Sequence, residues 1–397
     1  MLAALKKIPL TVWLLGAVSF LNDAASEWVY PLLPLYLSSV LMAGPRAMGI
    51  IEGIAEATSS LLKLFSGVWV DRTGKAKAWV IGGYSLAALS RPFLALASSW
   101  PVVLLLRFLD RVGKGLRGAP RDVLIANSAA AEQRGLAFGI HRACDHAGAV
   151  AGPLMAALLL SWQLPLREVI LWAAAPGLLA AFLTLWVREP QRPAAVGKAS
   201  FDWRLAGLPP AYQRYLLALG LFTLGNASNL FILLRASELG IPQVQVPIIW
   251  ALVSAVATVF SGPLSAWSDR IPRRRLIVAG WSAYAGFYLA LGWWPEGAVI
   301  GLWPLFAVYG VFIAATEGVE KALVADLAPA AMLGRAFGWY HLVAGLLLLP
   351  ASLLFGHLWQ VYSAALAFTI AAVASLAGVL VLLLPAGRQS SVDSAPG

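Results

Sequence analysis

Residues 66–77 read SGVWVDRTGKAK, a charged stretch that ends one apolar run and precedes another. An altered copy, LSAWSDRIPRRR, stands 198 residues further on at 264–275. A second pair of similar stretches, RGLAFGIH at 134–141 and LGRAFGWYH at 333–341, has its Phe-Gly steps 199 residues apart. Because the two pairs of similar stretches are separated by nearly the same number of residues, we predict a chain built from two copies of one unit.

Composition predicts that this duplicated chain lies in a membrane. Of its 397 residues, 60% are hydrophobic and 12% are charged, whereas a soluble globular protein carries about 25% charged residues. The net charge of +10 is therefore assigned to loop anchors and to positions inside the bilayer, and nucleic-acid binding is excluded as the main function. The single cysteine, Cys144, excludes an intramolecular disulfide and a cysteine-cage metal site.

Twelve stretches provide the roughly 20 mostly apolar residues that a helix needs to cross a bilayer. They lie at 10–38, 47–70, 78–98, 101–126, 135–161, 167–187, 213–236, 244–267, 276–294, 298–324, 334–357 and 361–384. A long polar break at 188–212 divides them six and six. We predict an all-α membrane protein of two pseudo-symmetric six-helix bundles, residues 1–187 and 213–397, with 188–212 as a cytoplasmic linker.

Lysine and arginine in the short loops predict the orientation of these spans. Seventeen fall on the side that holds both termini, and two, Arg46 and Arg167, fall on the other side. Short cytoplasmic loops carry an excess of these residues. We therefore expect a multi-pass protein of a bacterial plasma (inner) membrane with both termini in the cytoplasm.

Glycines and charges recur at fixed positions in the loop between spans 2 and 3. They are Gly67, Asp71, Arg72, Gly74, Lys75 and Lys77. These positions match the signature G-x-x-x-D-R-x-G-[RK]-x-[RK] of the major facilitator superfamily, which the chain resembles over essentially its whole length. The second-half copy keeps Asp269, Arg270 and Arg273. Two further sets resemble the span 4 motif and the antiporter-associated span 5 motif, namely Arg107, Gly113 and Gly115, and Gly148, Gly152 and Pro153.

The resemblance implies the twelve-span fold of that family and alternating access by rocking of the two halves around a central site. It implies no use of ATP, and the sequence holds no P-loop signature. It also implies gating roles for Gly67, Asp71, Arg72, Asp269, Arg270, Gly148, Gly152 and Pro153. Independently, a carboxylate such as Asp71 can meet the positive end of a neighbouring helix and stabilise one conformation. A basic loop that only sets the topology is the other interpretation.

Ten cations remain inside the predicted spans, eight of them in the first half. Each costs at least about 2.5 kcal/mol at a helix centre, so these cations must face water, solute or countercharges. Span 4 places a set of charges within an arc of about 140°: Arg107, Asp110, Arg111, Lys114, Arg117, Arg121 and Asp122. This stripe indicates either anion recognition, for which arginine is well suited, or an internal network. The network would be closed by Asp23, Glu27, Glu52, Glu56 and Asp145.

From the stripe and from polar residues of spans 1, 5 and 7 we expect a substrate site. Its members are Asn22, Arg107, Arg111, Lys114, Arg117, Arg121, Arg142, Asn226 and Asn229. Asp23, Glu27 and Asp145 are the proton-coupling candidates, because burial and mutual repulsion favour the protonated form of a carboxylate. The alternative is that these acids are permanently ionised partners of the span 4 arginines.

Span 5 also presents transition-metal ligand types at helical spacing, in His141, Asp145 and His146. A charge or proton relay is the more usual role of such residues, and Arg142 would repel a cation. We keep a metal site as the alternative.

We therefore expect a secondary active transporter that works by alternating access, is coupled to protons and moves a small organic solute, anionic or zwitterionic, with efflux favoured. The alternative within transport is a transition-metal ion, a metal chelate or a siderophore. The alternative from another class is a non-transporting membrane sensor or scaffold. No nucleophile and base combination indicates an enzyme, and no cofactor is expected. The expected partners are the solute, protons and the bilayer, and a monomer is the expected state.

Overall fold

The computed structural model describes residues 8–73, 75–130, 133–189, 205–267, 271–329 and 332–384. This part of the chain is helical, with short turns between the helices and no strand among the described residues. Twelve helical spans follow one another, one for each predicted segment. They are α1 (Leu10–Val29), α2 (Pro45–Thr73), α3 (Ala76–Leu94), α4 (Trp100–Ser128), α5 (Arg134–Ser161), α6 (Leu166–Trp172 and Ala174–Leu183), α7 (Pro210–Gly225 and Asn229–Glu238), α8 (Gln245–Trp267), α9 (Arg273–Gly292), α10 (Val299–Leu327), α11 (Leu333–Leu346 and Leu348–Val361) and α12 (Ala364–Leu383).

Proline accounts for the irregular places in two spans. After Val29, α1 continues through short helical segments past Pro31 and Pro34 as far as Val40. In α11, Pro350 has no N–H to donate to the carbonyl four residues earlier, and the helix is interrupted at Leu347. The interruption of α7 has a different character, because its two segments are separated by Asn226, Ala227 and Ser228 rather than by proline.

The predicted fold class is confirmed by these twelve spans. Helices α5, α6, α7, α10, α11 and α12 are long and apolar enough to cross a membrane on length and composition alone. Helices α2 and α4 carry several charged residues within their length. The proposed limits of the linker stay a prediction, because residues 190–204 lie outside the described part of the chain.

The two halves repeat one packing pattern, as the sequence echoes predict. Helices α2 and α3 pack on α4 in the first half, and α8 and α9 pack on α10 in the second. In the same way α1 packs on α5, and α7 packs on α11. The duplicated unit is therefore visible in the helix contacts as well as in the sequence.

Contact between the halves is made chiefly by α2 with α11 and by α5 with α8. Small residues allow α2 and α11 to approach closely. A side chain at Gly49 would collide with the backbone oxygen of Ser352, and one at Gly345 would collide with Ser60. These contacts occupy the part of α2 that begins at Pro45, so the halves meet at the membrane face away from the termini.

Within the first half, α1 and α5 approach closely at Gly148 and Gly152. A Cβ atom at Gly152 would overlap the backbone oxygen of Ala24 and lie 2.8 Å from the backbone nitrogen of Trp28. Glycine at this position thus permits two helix backbones to touch, as small residues commonly do in membranes.

We expect Gly152→Val to lower the thermal unfolding midpoint of the purified protein or to prevent its accumulation. Overpacking a tight contact typically costs about 1–3 kcal/mol, and here the obstacle is backbone. The matched control is Gly139→Val on the same helix, where an added Cβ meets nothing within 4 Å. Equal midpoints for the two variants would contradict the packing role of Gly152.

Candidate functional site

The charged stripe of α4 faces the interior of the first half. Arg107, Asp110, Arg111 and Arg117 are all at most 5% exposed, although each would be costly in contact with lipid. Their side chains therefore need partners from neighbouring helices. Four charges of the predicted common face are thus buried, whereas Lys114 and Arg121 are half-buried and Asp122 is exposed.

Three acids neutralise the arginines at the outer part of the stripe. Asp110 Oδ1 accepts a hydrogen bond from Nε of Arg91 on α3 at 3.0 Å. Glu52 Oε1 on α2 accepts from Nε and Nη2 of Arg107, at 3.0 and 2.5 Å. The third acid is Glu56, also on α2. The result is a set of ion pairs that connects α2, α3 and α4.

Arg111 extends this network. Its Nε lies 3.0 Å from Glu56 Oε1, so the two side chains form an ion pair, although the N–H is not oriented for a hydrogen bond. Nη1 of Arg111 and Nη1 of Arg107 each lie 3.6 Å from Asp110 Oδ2. Asp110 is therefore surrounded by three guanidinium groups, which explains how a fully buried carboxylate is kept in the membrane. We call Glu52, Glu56, Arg91, Arg107, Asp110 and Arg111 the charge network.

The charge network supports the internal-network interpretation for Arg107 and Arg111. Removing one partner of a buried ion pair leaves an uncompensated charge and costs about 3–5 kcal/mol. Arg91 is not among the predicted site residues, although it is one of the cations that the sequence places within a span. Its pairing with Asp110 joins adjacent helices, and no spacing along a single helix could have indicated it.

The next cations along α4 are placed differently. Nη1 of Arg117 is buried without a hydrogen-bond partner among the described residues, and its guanidinium lies over the Tyr84 ring at 4.5 Å from the centroid. Lys114 is half-buried, and none of the ion pairs found in the described part of the chain includes it. Lys63 on α2 is exposed and within electrostatic range of Lys114. These three cations lie further along α2 and α4, towards the membrane face of the termini, than the arginines that Glu52, Glu56 and Asp110 neutralise.

A second polar cluster joins α1, α3, α4 and α5 around Ser19. The Ser19 hydroxyl lies 2.7 Å from Nε2 of His141 and 3.3 Å from the hydroxyl of Tyr84. Nη1 of Arg121 donates to the same hydroxyl at 3.5 Å, and its other nitrogens pair with Asp122 at 3.1 Å. This arrangement resembles a relay of hydrogen bonds more than a binding surface.

The proposed metal ligands are only partly brought together. Nδ1 of His141 lies 3.5 Å from Asp145 Oδ2, and Nε2 of His141 is engaged by Ser19. Among the described residues, no group of three or more His, Cys, Asp and Glu side chains is placed to hold a metal ion. The geometry therefore favours the relay interpretation of span 5. Arg142, on the same helix, is exposed.

The carboxylates of α1 occupy two different environments. Asp23 Oδ1 accepts a hydrogen bond at 3.0 Å from the side-chain amide of its neighbour Asn22. Glu27 reaches the other half of the protein, where its Oε2 accepts from the indole nitrogen of Trp250 on α8 at 2.8 Å. The Trp250 ring also contacts Tyr30, with centroids 5.4 Å apart. Glu27 is thus a half-buried acid at the junction of the halves.

In the second half, Asn226 and Asn229 lie at the interruption of α7. Asn226 Oδ1 accepts from the Tyr284 hydroxyl at 3.2 Å, and Asn229 Oδ1 accepts from the Tyr309 hydroxyl at 2.6 Å. Both tyrosines belong to a buried aromatic cluster of α7, α9 and α10. The amides therefore join the broken helix to the core of this half.

Glu320 on α10 is a further buried acid, and it is not among the predicted site residues. Its two oxygens accept from the indole of Trp281 at 2.9 Å and from the hydroxyl of Tyr340 at 3.0 Å. The signal that could have singled it out is a carboxylate within the most apolar set of spans. In the register of the repeat, Glu320 occupies the position of Arg121, 199 residues earlier.

The predicted gating residues have mixed outcomes. Gly148, Gly152 and Pro153 are buried in the α1–α5 contact described above. Asp269 and Arg270 lie outside the described residues. The surroundings of Gly67 and the side chains of Asp71 and Arg72 also lie outside the described part of the chain, although the backbone of α2 continues through Thr73. The gating roles stay predictions.

Twelve spans in two repeated halves, with charges buried by mutual pairing and a hydrogen bond between the halves, fit a membrane transporter. The family model of the Major Facilitator Superfamily matches residues 12–346 and, in a second match, 215–397. The chain belongs to the major facilitator superfamily.

Individual relatives agree with this membership. An uncharacterized MFS-type transporter of Methanocaldococcus jannaschii is 34% identical over 385 residues, covering 95% of each chain. The multidrug resistance protein MdtH of Proteus mirabilis is 25% identical over 321 residues, covering 79% of this chain and 78% of MdtH. A crystal structure of a mutant of the nucleoside transporter NupG superposes with a TM-score of 0.80 at 14% identity, covering 94% of this chain and 99% of that one. At that identity the likeness shows the fold alone.

We expect Arg107→Met to lower the unfolding midpoint strongly, because it leaves Glu52 buried without its partner. The double variant Arg107→Met with Glu52→Leu is expected to be more stable than Arg107→Met, since an apolar pair leaves no uncompensated charge. Thermal unfolding of the purified variants measures both effects.

The control for this cycle is Glu238→Gln, which breaks a pair with Arg235 in which Glu238 is 40% exposed. Such surface pairs contribute about 0–1 kcal/mol, so its midpoint should stay close to that of the native chain. Strictly additive losses in the Arg107 and Glu52 double variant would contradict the direct pairing.

Proposed function

We propose that this protein is a proton-coupled transporter that exports a small anionic or zwitterionic organic solute across the plasma membrane as a monomer, with both termini in the cytoplasm. The observation that carries the coupling is the hydrogen bond from Trp250 to Glu27, at 2.8 Å between α8 and α1. A titratable acid that contacts the opposite half can make the closure of the halves depend on its protonation.

The physical link is the strength of that hydrogen bond. An ionised carboxylate is a stronger acceptor than a protonated one, because charge-assisted hydrogen bonds are roughly twice as strong as neutral ones. Proton binding at Glu27 therefore weakens the contact with Trp250 and favours separation of the halves at this position. Loss of the proton favours their approach. The halves are in contact at the face away from the termini, which in the predicted topology is the external face.

Efflux is supported by the similarity to MdtH, a protein named for multidrug resistance. The resemblance of Gly148, Gly152 and Pro153 to an antiporter-associated motif supports the same direction. In an exporter of this kind, protons enter as the solute leaves. Asp145, which faces His141 in the Ser19 cluster, is a second candidate for carrying the proton.

The anionic character of the solute is supported by the cations outside the charge network. Lys114 and Arg117 lie on α4 beyond the residues that Glu52, Glu56 and Asp110 neutralise. The buried and unsatisfied Nη1 of Arg117 is a donor that a carboxylate or phosphate group would satisfy. Arg107 and Arg111 are then structural, and Lys114 with Arg117 contacts the solute.

We expect Glu27→Gln to abolish solute movement driven by an imposed pH gradient while exchange of solute across proteoliposomes continues. Glutamine keeps an oxygen that accepts the hydrogen bond from Trp250, but its amide does not bind and release a proton as a carboxylate does. Asp145→Asn is tested in parallel. If transport by the Glu27→Gln variant still follows the pH gradient and transport by the Asp145→Asn variant does not, Asp145 is the coupling residue. Full coupling in both single variants and in the double variant would refute the assignment of these acids.

Lys114→Gln and Arg117→Gln are expected to weaken binding of small carboxylates by roughly ten- to hundred-fold, because losing a charge-assisted hydrogen bond costs about 1.5–3 kcal/mol. Thermal stabilisation of the purified protein by carboxylates, compared with their neutral amides, measures this selectivity. Equal responses to acid and amide in both folded variants and in the native chain would leave the anion proposal without support.

A further inference from the structure

A small cavity outside the proposed transport site opens in the second half, between α7, α9, α10 and α12. Its walls combine two guanidinium groups with apolar side chains: Arg214, Arg274, Tyr215, Leu323, Leu327 and Leu382. The cavity lies at the membrane face that carries the termini, because Arg214 is near the start of α7 and Arg274 is near the start of α9. It is thus at the level of lipid head groups.

Both arginines are held in place by the end of α12. Nη1 of Arg214 and Nη2 of Arg274 each donate to the backbone oxygen of Leu384 at 3.0 Å. Leu384 is the residue that follows the last turn of α12, where carbonyl groups lack helical partners and cations are favourable. The two nitrogens are therefore at most twice that distance apart.

The two positively charged guanidinium groups are thus held close together by hydrogen bonds to one uncharged carbonyl oxygen. The remaining N–H groups of a guanidinium suit a phosphate, which they can bind in a bidentate manner. Tyr215, 1% exposed, also lines the cavity, and its hydroxyl has no hydrogen-bond partner in the described part of the chain. Among the described residues, the wall of the cavity thus carries two positive charges and no acidic side chain.

The apolar part of the cavity determines which anion fits. Leu382 precedes Leu384 by two residues on the membrane side, and Leu323 and Leu327 are one turn apart on α10. Phosphate alone would leave these side chains unused. A molecule with a phosphate at the head-group level and a hydrocarbon chain below it matches both parts.

We propose that this cavity binds an anionic phospholipid of the leaflet on the side of the termini. The lipid phosphate contacts Arg214 and Arg274, and the first part of an acyl chain lies against Leu323, Leu327 and Leu382. In the predicted topology this is the cytoplasmic leaflet, whose anionic lipids bind basic pockets between membrane helices. The site is independent of the proposed transport function.

The test is thermal unfolding of the purified full-length protein in neutral detergent, titrated with phosphatidylglycerol or with phosphatidylcholine. The expected result is saturable stabilisation by phosphatidylglycerol beyond that by phosphatidylcholine. Arg214→Gln with Arg274→Gln should weaken the apparent affinity for phosphatidylglycerol at least tenfold, and the Lys counterparts, which keep the charge, should weaken it less. Because loss of the α12 contact lowers the midpoint in both lipids, the difference between lipids isolates binding.

Arg275→Gln is the matched control, since Arg275 is exposed, adjacent to Arg274 and absent from the cavity wall. It should leave the phosphatidylglycerol effect unchanged, and an equal loss in this variant would overturn the proposal in favour of general charge attraction. Equal stabilisation by both lipids would also overturn it. The same stabilisation by glycerol phosphate at equal phosphate concentration would assign the cavity to a free anion instead. If phosphatidylglycerol stabilised the protein only after residues 386–397 had been removed, the cavity would be assigned to binding of the C-terminal segment, which would contradict a lipid site in the full-length chain.

Discussion

The structure depends on the neutralisation of charge inside the bilayer. Asp110, which is 1% exposed, is surrounded by guanidinium groups from two helices, and Glu52 and Glu56 provide the opposite charges from a third. Three carboxylates balance three guanidinium groups, so removing any one member leaves an excess charge in the set, and such a charge is far more costly in hydrocarbon than at a surface. The packing of α2, α3 and α4 is therefore fixed by electrostatics as well as by shape.

This constraint divides the molecule into parts of different rigidity. Within the first half, helices are joined by ion pairs and by backbone contact at Gly148 and Gly152. Between the halves, the contacts include close packing of small residues along α2 and α11, packing of α5 on α8, and the hydrogen bond of Glu27 with Trp250. Packing contacts and individual hydrogen bonds are easier to exchange than buried ion pairs. Each half can thus move as a unit while its own charges stay paired.

Much of the fold was predictable because its signals are local. Twelve apolar stretches and two echoes at one spacing indicate the spans and the duplication, and each predicted span has its helix. The charged face of α4 was also predictable, since helical periodicity places Arg107, Asp110 and Arg111 together. What those residues touch was not. Arg91 meets Asp110 from another helix, and Trp250 meets Glu27 from 223 residues away, and neither pair leaves a periodic signal in a single sequence.

The same limit explains why span 5 suggested a metal. His141, Asp145 and His146 have suitable spacing along the helix. Spacing does not show that Ser19 from α1 contacts the imidazole of His141, or that Tyr84 from α3 contacts Ser19. These contacts make His141 part of a hydrogen-bond cluster. The corresponding place in the second half has Tyr340 in the register of His141 and Glu320 in the register of Arg121, with Trp281 completing the contact. The duplicated scaffold therefore has a polar cluster at the same register in each half, with a cation at residue 121 in the first half and a carboxylate at residue 320 in the second. Arg121 is paired with Asp122, and Glu320 accepts hydrogen bonds from Trp281 and Tyr340, so each half provides partners for its own charged residue at this register.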